Sequence, residues 1–173
     1  MLDLLMSRRT VRRYKDKEIN NDIVEKIVQG ALSSPTGRNL KPWELIVIND
    51  KKTLKDLSDV RGRVSSHIKG AGLGIVIAAN PEITDIWIED ASIMATIIQL
   101  ISESLGLTSC WIQVRDRLDD KNKSVEENVK NLLNIPKNFR VECMLAIGYP
   151  DETKDPHKKE DLLYNKVHYN RFD

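Results

Sequence analysis

Residues 84–105 read TDIWIEDASIMATIIQLISESL, and this stretch decides what kind of fold the chain can adopt. Ile86, Ile88, Ala91, Ile93, Met94, Ala95, Ile97, Ile98, Leu100 and Ile101 leave hardly any face of a helix without an apolar side chain. Asp85, Glu89, Asp90 and Glu103 interrupt the run, and four acids are too costly for a membrane span. The segment is therefore expected as a helix over about Thr84 to Leu105, buried on most sides. A small domain buries such a helix most easily at its centre or between subunits.

The rest of the chain can supply that burial. Its 173 residues make about one domain, which removes roughly 70% of its unfolded surface from water without help from disulfides. Apolar residues are 40% and charged residues 31%, the balance of a globular protein rather than a disordered or membrane one. Lys and Arg total 27 against 26 acids, a net charge of +1, which argues against a general nucleic-acid binder and leaves any basic site to be local. Cys110 and Cys143 form no CxxC pair, and His67, His157 and His168 no HExxH, so the usual zinc spacings are absent and no metal site is expected. Met1-Leu2-Asp3-Leu4-Leu5 lacks the features of a signal peptide, and a reducing, cytoplasmic setting is expected.

Outward from the central helix, the pattern predicts helices around Leu2 to Met6, from a cap at Asn20, Asn21 or Asp22 to Leu32, from about Asp50 to Val60, and from Ser124 to Leu133. Ile23/Ile27/Ala31 and Val24/Val28/Leu32 give the second of these one apolar face. Strands are expected at Leu45 to Ile48, buried on both faces, at Ile75 to Ala79, at Leu107 to Val114, and at Val141/Cys143/Leu145/Ile147 alternating with Glu142/Met144/Ala146. Gly70-Ala71-Gly72-Leu73-Gly74 precedes a strand, whereas a dinucleotide fingerprint follows one. Helices and strands interleave without a βαβ rhythm, so the fold class is α+β around one central sheet. The 23 residues after Pro150 are mostly charged but carry Leu162, Leu163, Val167, Tyr169 and Phe172, anchors for wrapping a surface or a partner subunit.

Three segments could carry chemistry, and each has a plain structural reading beside it. Arg8, Arg9, Arg12 and Arg13 put four guanidinium groups in six residues, which suits either a phosphate clamp or a solvated basic turn. Ser34-Pro35-Thr36-Gly37-Arg38-Asn39-Leu40-Lys41-Pro42-Trp43 is a ligand-holding loop or merely a helix stop and strand entry. Gly106-Leu107-Thr108-Ser109-Cys110-Trp111-Ile112-Gln113-Val114 is a site strand or a helix cap followed by core.

Together and in this order, the SRRTVRRY, SPTGRNLKPWELIVI, GLTSCWI and AIGYP segments resemble the nitroreductase family of FMN-dependent oxidoreductases, over nearly the whole chain. The resemblance implies a three-layer sandwich, a central mixed or antiparallel sheet flanked by helices, and an intertwined homodimer with two FMN sites at its interface. Residues 1–150 are then the FMN-binding domain, and 151–173 an extension over the domain or the partner. By the same resemblance Arg8 and Thr10, with Arg9 beside them, contact the phosphate and ribityl chain, and Arg12 the pyrimidine edge. Pro35, Thr36 and Asn39 match the loop that the second subunit lays against the same flavin. Trp111, Ile112, Gln113 and Val114 match the strand along the ring edge, where a backbone N–H approaches flavin N5, and His157 and Lys159 match basic groups on the phosphate. Lys41 stands where many relatives carry Gln, and Arg61-Gly62-Arg63 with Ser65-Ser66-His67 stands where an Asn or Gln is usual.

The implied activity is hydride transfer from NADH or NADPH through flavin N5 to an oxidised small-molecule acceptor such as a nitroaromatic or quinone, in a ping-pong cycle. No protein nucleophile is required, and Arg12 is the candidate for stabilising the reduced flavin electrostatically. An FMN-binding or regulatory protein without rapid turnover would share every one of these residues. A nucleic-acid module would use the arginine run instead, against the balanced charge; neither nucleic acid nor membrane is an expected partner.

Overall fold

A computed structural model of the chain describes residues 1–172. Five α-helices, α1 Leu2–Ser7, α2 Asn21–Leu32, α3 Lys51–Asp59, α4 Trp87–Ser104 and α5 Val125–Leu133, alternate with four strands, β1 Trp43–Ile48, β2 Leu73–Ala79, β3 Thr108–Gln113 and β4 Arg140–Gly148. The strands form one sheet in the order β1-β2-β4-β3, antiparallel throughout. Helix starts follow local chemistry. The Asn20 side chain accepts the Asp22 N–H, Asp50 caps α3 through the Thr53 N–H, and Ser124 caps α5 through the Glu127 N–H.

The period of two along β2 divides the interior. Leu73, Ile75, Ile77 and Ala79 face a core shared with Ile27 and Ala31 of α2 and Ala91, Met94, Ala95 and Ile98 of α4. Val76 and Ala78 face the opposite core, with Leu54 and Leu57 of α3 and Val125 and Val129 of α5. The result is the expected α+β sandwich: helices, sheet, helices.

Three expectations need correction. β1 is not buried on both faces: it is an edge strand paired only to β2, and Glu44 and Val47 are exposed. The alternation of β4 breaks at a bulge beside Glu142, where Ile77 pairs with Cys143 but Ala78 with Val141, so Val141 joins the α3/α5 core rather than that of Cys143, Leu145 and Ile147. α4 begins at Trp87, because the Thr84 hydroxyl takes the Ile86 N–H in a turn ahead of the helix. Within one chain α4 also keeps an outer apolar edge, with Ile93 40% exposed and Ile97 and Leu100 half-buried.

Gly148 ends β4 where a side chain could not fit. A Cβ there would lie 2.8 Å from the Tyr14 ring, whose hydroxyl donates to the Val11 and Ala146 carbonyls at 2.8 and 3.1 Å. The glycine of the AIGYP segment thus lets the arginine-bearing arm lie flat against the sheet.

The α4 contact sets the core, and Ile98 sits at its middle, fully buried. Ile98→Ala should lower the unfolding free energy by about 2–5 kcal/mol, read from the shift of a urea midpoint.

Candidate functional site

The arm from Arg8 to Lys15 is bonded along the outer side of β3 and the end of β4. Thr10 bridges Ser109 in parallel, the Val11 N–H donates to the Ser109 carbonyl, and the Lys15 N–H to the Tyr149 carbonyl at 2.9 Å. Because the Ser109 carbonyl points off the sheet edge, the alternation of a strand turns the Trp111 backbone the same way, beyond the arm's last bond to β3 at Val11. The edge beside Trp111 is therefore open backbone, flanked by cations.

The beginning of the tail closes over the arm. The Arg9 guanidinium donates to the Asp155 carbonyl, the Lys154 ammonium to the Thr10 carbonyl, the Asp151 N–H to the Arg13 carbonyl, and the His157 N–H to the Met6 carbonyl. Glu152 accepts the Arg12 N–H at 2.6 Å and faces Arg13 and Lys154 at 3.8 Å each. Hydrogen bonding from the Arg12 backbone, with the nearby cations, holds its carboxyl below the usual range. Among the described residues no carboxylate lies within 4.0 Å of the Arg8, Arg9 or Arg12 guanidinium nitrogens. A cavity of about 200 Å³, lined in part by Ser7, Arg9, Glu103, Glu152 and Lys154, lies between arm and tail.

The side chains of β3 are locked from beneath. The Trp111 indole N–H donates to Gln113 Oε1 at 2.9 Å, Gln113 Nε2 donates to Glu142 Oε1 at 3.0 Å, and Arg115 Nε donates to Glu142 Oε2 at 2.7 Å. The bulge therefore places a buried acid where it fixes Trp111 and Gln113, while Ile112 and Val114 are buried in the α3/α5 core. Arg61 donates to the Gln113 carbonyl at 2.8 Å, which covers the far end of the open edge.

His67, half-buried, has a ring nitrogen, Nε2, shielded from solvent with no partner among the described residues. Burial, and then the Arg12 charge, lowers its pKa from the ordinary 6.5. Arg12 acts on Cys110 too, but burial dominates there and raises the thiol, as it does at Cys143, so neither sulfur is poised as a nucleophile.

The loop carrying Pro35, Thr36 and Asn39 lies elsewhere. It packs on the first turn of α4, where Asp90 Oδ1 accepts the Gly37 N–H at 2.9 Å, whereas Glu103, in the last turn, lines the arm's cavity. From Asp90 to Glu103 the helical rise of ~1.5 Å per residue amounts to about 20 Å. One chain thus brings together Arg8, Arg9, Thr10, Arg12, the β3 residues and His157, and holds Pro35, Thr36 and Asn39 well apart from them. Lys159 lies on an exposed 3-10 turn, Lys159–Asp161, with no bond to the arm among the described residues. Lys154 is the basic side chain that reaches it. Sequence reasoning missed Lys154, Arg61 and Glu152, which no spacing distinguishes from other charged residues, and assigned His67 no role. A hollow of about 240 Å³ between Lys15–Ile19 and Gly70–Gly72 gathers none of the expected site residues.

With this geometry in place, similarity to known proteins decides the family. The sequence model of the nitroreductase family matches residues 5–69 and 61–149. The chain belongs to that family. An FMN-dependent nitroreductase of Clostridium difficile R20291 is 45% identical, superposes with a TM-score of 0.96, and is matched over 99% of this chain and 100% of its own. An Archaeoglobus fulgidus protein, provisionally named an NADH dehydrogenase/NAD(P)H nitroreductase, is 32% identical over 164 residues, 92% of this chain and 91% of its own. The iodotyrosine deiodinase of Thermotoga neapolitana is 26% identical over 187 residues, 99% and 98% of the two chains. The nitroreductase-family core is thus shared by proteins whose names differ in what they act on. Among the described residues no helix is long and apolar enough to cross a membrane.

The lowered His67 pKa has a consequence with a definite sign. Below about pH 6.5 the unfolded chain takes up a proton that the folded site resists, so the stability His67 contributes is present above that pH and is lost as pH falls through the folded value. Between pH 7 and 5 the urea midpoint of the flavin-free protein should fall more steeply for the wild type than for His67→Gln.

Proposed function

We propose that the protein is an FMN-dependent NAD(P)H oxidoreductase whose flavin lies along the open edge of β3, with its phosphate on the arginine arm. The observation that carries this reading is the arm itself, whose Arg8, Arg9 and Arg12 guanidinium groups have no carboxylate within 4.0 Å among the described residues, bonded beside an unpaired stretch of strand edge. The residues present suit the group. Arg8 and Arg9, aided by Lys154 and His157, match a phosphate dianion. The outward Trp111 N–H suits a ring nitrogen, and the orphaned His67 Nε2 beside Arg12 suits a polar heterocycle edge.

Bound FMN would accept hydride from NADH or NADPH at N5 and deliver it to an oxidised acceptor such as a nitroaromatic or quinone. The chain's part is to hold and polarise. The Trp111–Gln113–Glu142–Arg115 hydrogen bonds keep the strand edge in one geometry. Arg12 places positive charge where the ring system gains negative charge, an electrostatic contribution that grows as water is excluded. The same residues would serve a flavin carrier without rapid turnover, and reduction by NAD(P)H separates the two readings.

The active unit on this reading is a homodimer in which Pro35, Thr36 and Asn39 serve the flavin of the opposite subunit. Three features support it: the separation of loop and arm along α4, the outer apolar edge of that helix at Ile93, and the tail beyond residue 158. Leu163, Val167, Tyr169 and Phe172 are all exposed on their own chain, as apolar anchors meant for a partner would be. Residues 1–150 then form the flavin domain and 151–173 the extension: its first residues cover the arm of their own chain, and the part beyond residue 158 reaches the second subunit, with Lys159 free to meet a phosphate there; Asp173 lies outside the described residues.

The purified protein should take up one FMN per subunit and be bleached by NADH or NADPH, followed by visible absorption; no binding at high micromolar FMN would end the reading. Within the arm, Arg8→Ala should weaken FMN binding by about 1.5–3 kcal/mol and Arg13→Ala by much less, because Arg13 is turned to Glu152. Equal affinities would overturn the assignment along the arm. In a mixed dimer, Arg8→Ala and Asn39→Ala subunits should together give one tight site and one doubly damaged site, counted by flavin titration; two singly damaged sites would mean that each chain builds its own.

A further inference from the structure

Asp90 stands in the first turn of α4 with its residue only 2% exposed. Oδ1 accepts the Gly37 N–H at 2.9 Å, and Oδ2 is buried with no partner among the described residues. An acid in such a place costs stability to the extent that its oxygens lack hydrogen-bond partners, and here one of the two does. The loop above it is one that needs holding. Arg38, Asn39 and Lys41 have φ of 53°, 57° and 50°, the left-handed region that side-chain-bearing residues rarely enter, and all three are exposed. Gly37 presses so closely on the turn ahead of α4 that a Cβ would fall 2.0 Å from Ile86 Cδ1. Beyond the Asp90 bond, the side-chain ties of this loop are the Lys41 N–H to Thr36 Oγ1 at 3.2 Å and an exposed Arg38–Asp85 pair at 3.7 Å. The turn closes on itself through the Asn39 N–H to the Thr36 carbonyl at 3.1 Å and the Leu40 N–H to the Gly37 carbonyl at 3.2 Å, and its buried tie to α4 is one Asp90 oxygen.

We propose that Asp90 is a positioning residue that pins Gly37 so that the left-handed turn at Arg38-Asn39 is formed before flavin arrives, and that it thereby tunes the cofactor site of the partner subunit rather than the site on its own arginine arm. This rests on the shared-site reading above. The pin uses one oxygen, so an amide can replace the acid. It also lies about 20 Å along α4 from the arm of its own chain, which is why its effect is assigned to the other site.

The test uses the full-length dimer and FMN titration. Asp90→Ala should weaken FMN binding at least about tenfold, the loss expected when a buried N–H loses a carboxyl partner and the turn it held is released, whereas Asp90→Asn should stay within about threefold of the wild type. Equal loss in both variants overturns the proposal. A heterodimer of Asp90→Ala with Arg8→Ala should recover one site of wild-type affinity, and one of Asp90→Ala with Asn39→Ala should recover none. A subunit weakened throughout would spoil its own arm as well, so failure of the first heterodimer to recover a site overturns the proposal too. Asp90→Ser, with a hydroxyl too short to reach Gly37, replaces the alanine variant if that one does not fold. The Arg8→Ala/Asn39→Ala heterodimer separates the two failures. If it recovers no tight site the shared-site reading falls, whereas recovery there alone removes only the role given to Asp90.

Discussion

Met94, Ala95 and Ile98 seat α4 against the face of the sheet that carries Ile75, Ile77, Cys143 and Leu145, and this contact fixes the distance between everything polar at the two ends of the helix. At one end Asp90 holds the loop of Gly37 and Asn39; at the other Glu103 borders the arginine arm. A helix packed along its whole length cannot bend to bring those ends together, because the bending would open a close-packed core. On the proposed reading, a flavin that uses both groups takes them from two chains. On the proposed shared-site reading, the apolar edge left at Ile93 is where a second chain would pack.

The sheet edge supplies the second constraint. An edge strand presents unpaired backbone groups, which proteins ordinarily cover or blunt. Here the arm covers the edge of β3 only as far as Ser109 and Val11, and Arg61 covers its other end at Gln113, so the uncovered backbone is confined to the neighbourhood of Trp111. The bulge beside Glu142 serves the same place by turning a buried acid toward Gln113 and Arg115. Irregularity in β4 and rigidity in β3 are two sides of one arrangement.

Much of this was legible from local rules. A cap at Ser124, one cap among Asn20, Asn21 and Asp22, the apolar sets of α2 and α4, and the apolar run of β2 are properties of a few neighbouring residues, and the helices and strands formed close to where those rules place them, α4 starting three residues late. The ordered SRRTVRRY, SPTGRNLKPWELIVI, GLTSCWI and AIGYP segments pointed to the family as well, by resemblance: each is weak alone, and it is their shared order and spacing that are specific. The expectation for β1 failed for a reason outside its own residues: a run of four apolar side chains reads the same in a central strand and at an edge, and only neighbours distinguish them.

The sequence by itself determined the α+β class, the cation-rich arm and the absence of regular metal-ligand spacings, since these depend on composition and on residues close along the chain. Only the tertiary structure decided that Lys154 rather than Lys159 reaches the arm, that His67 carries an orphaned nitrogen beside Arg12, that Val141 turns away from its alternating set, and that loop and arm sit at opposite ends of α4. Each of these depends on the positions of groups separated by many residues, and those positions are set by how the helices and strands pack, which no local spacing encodes.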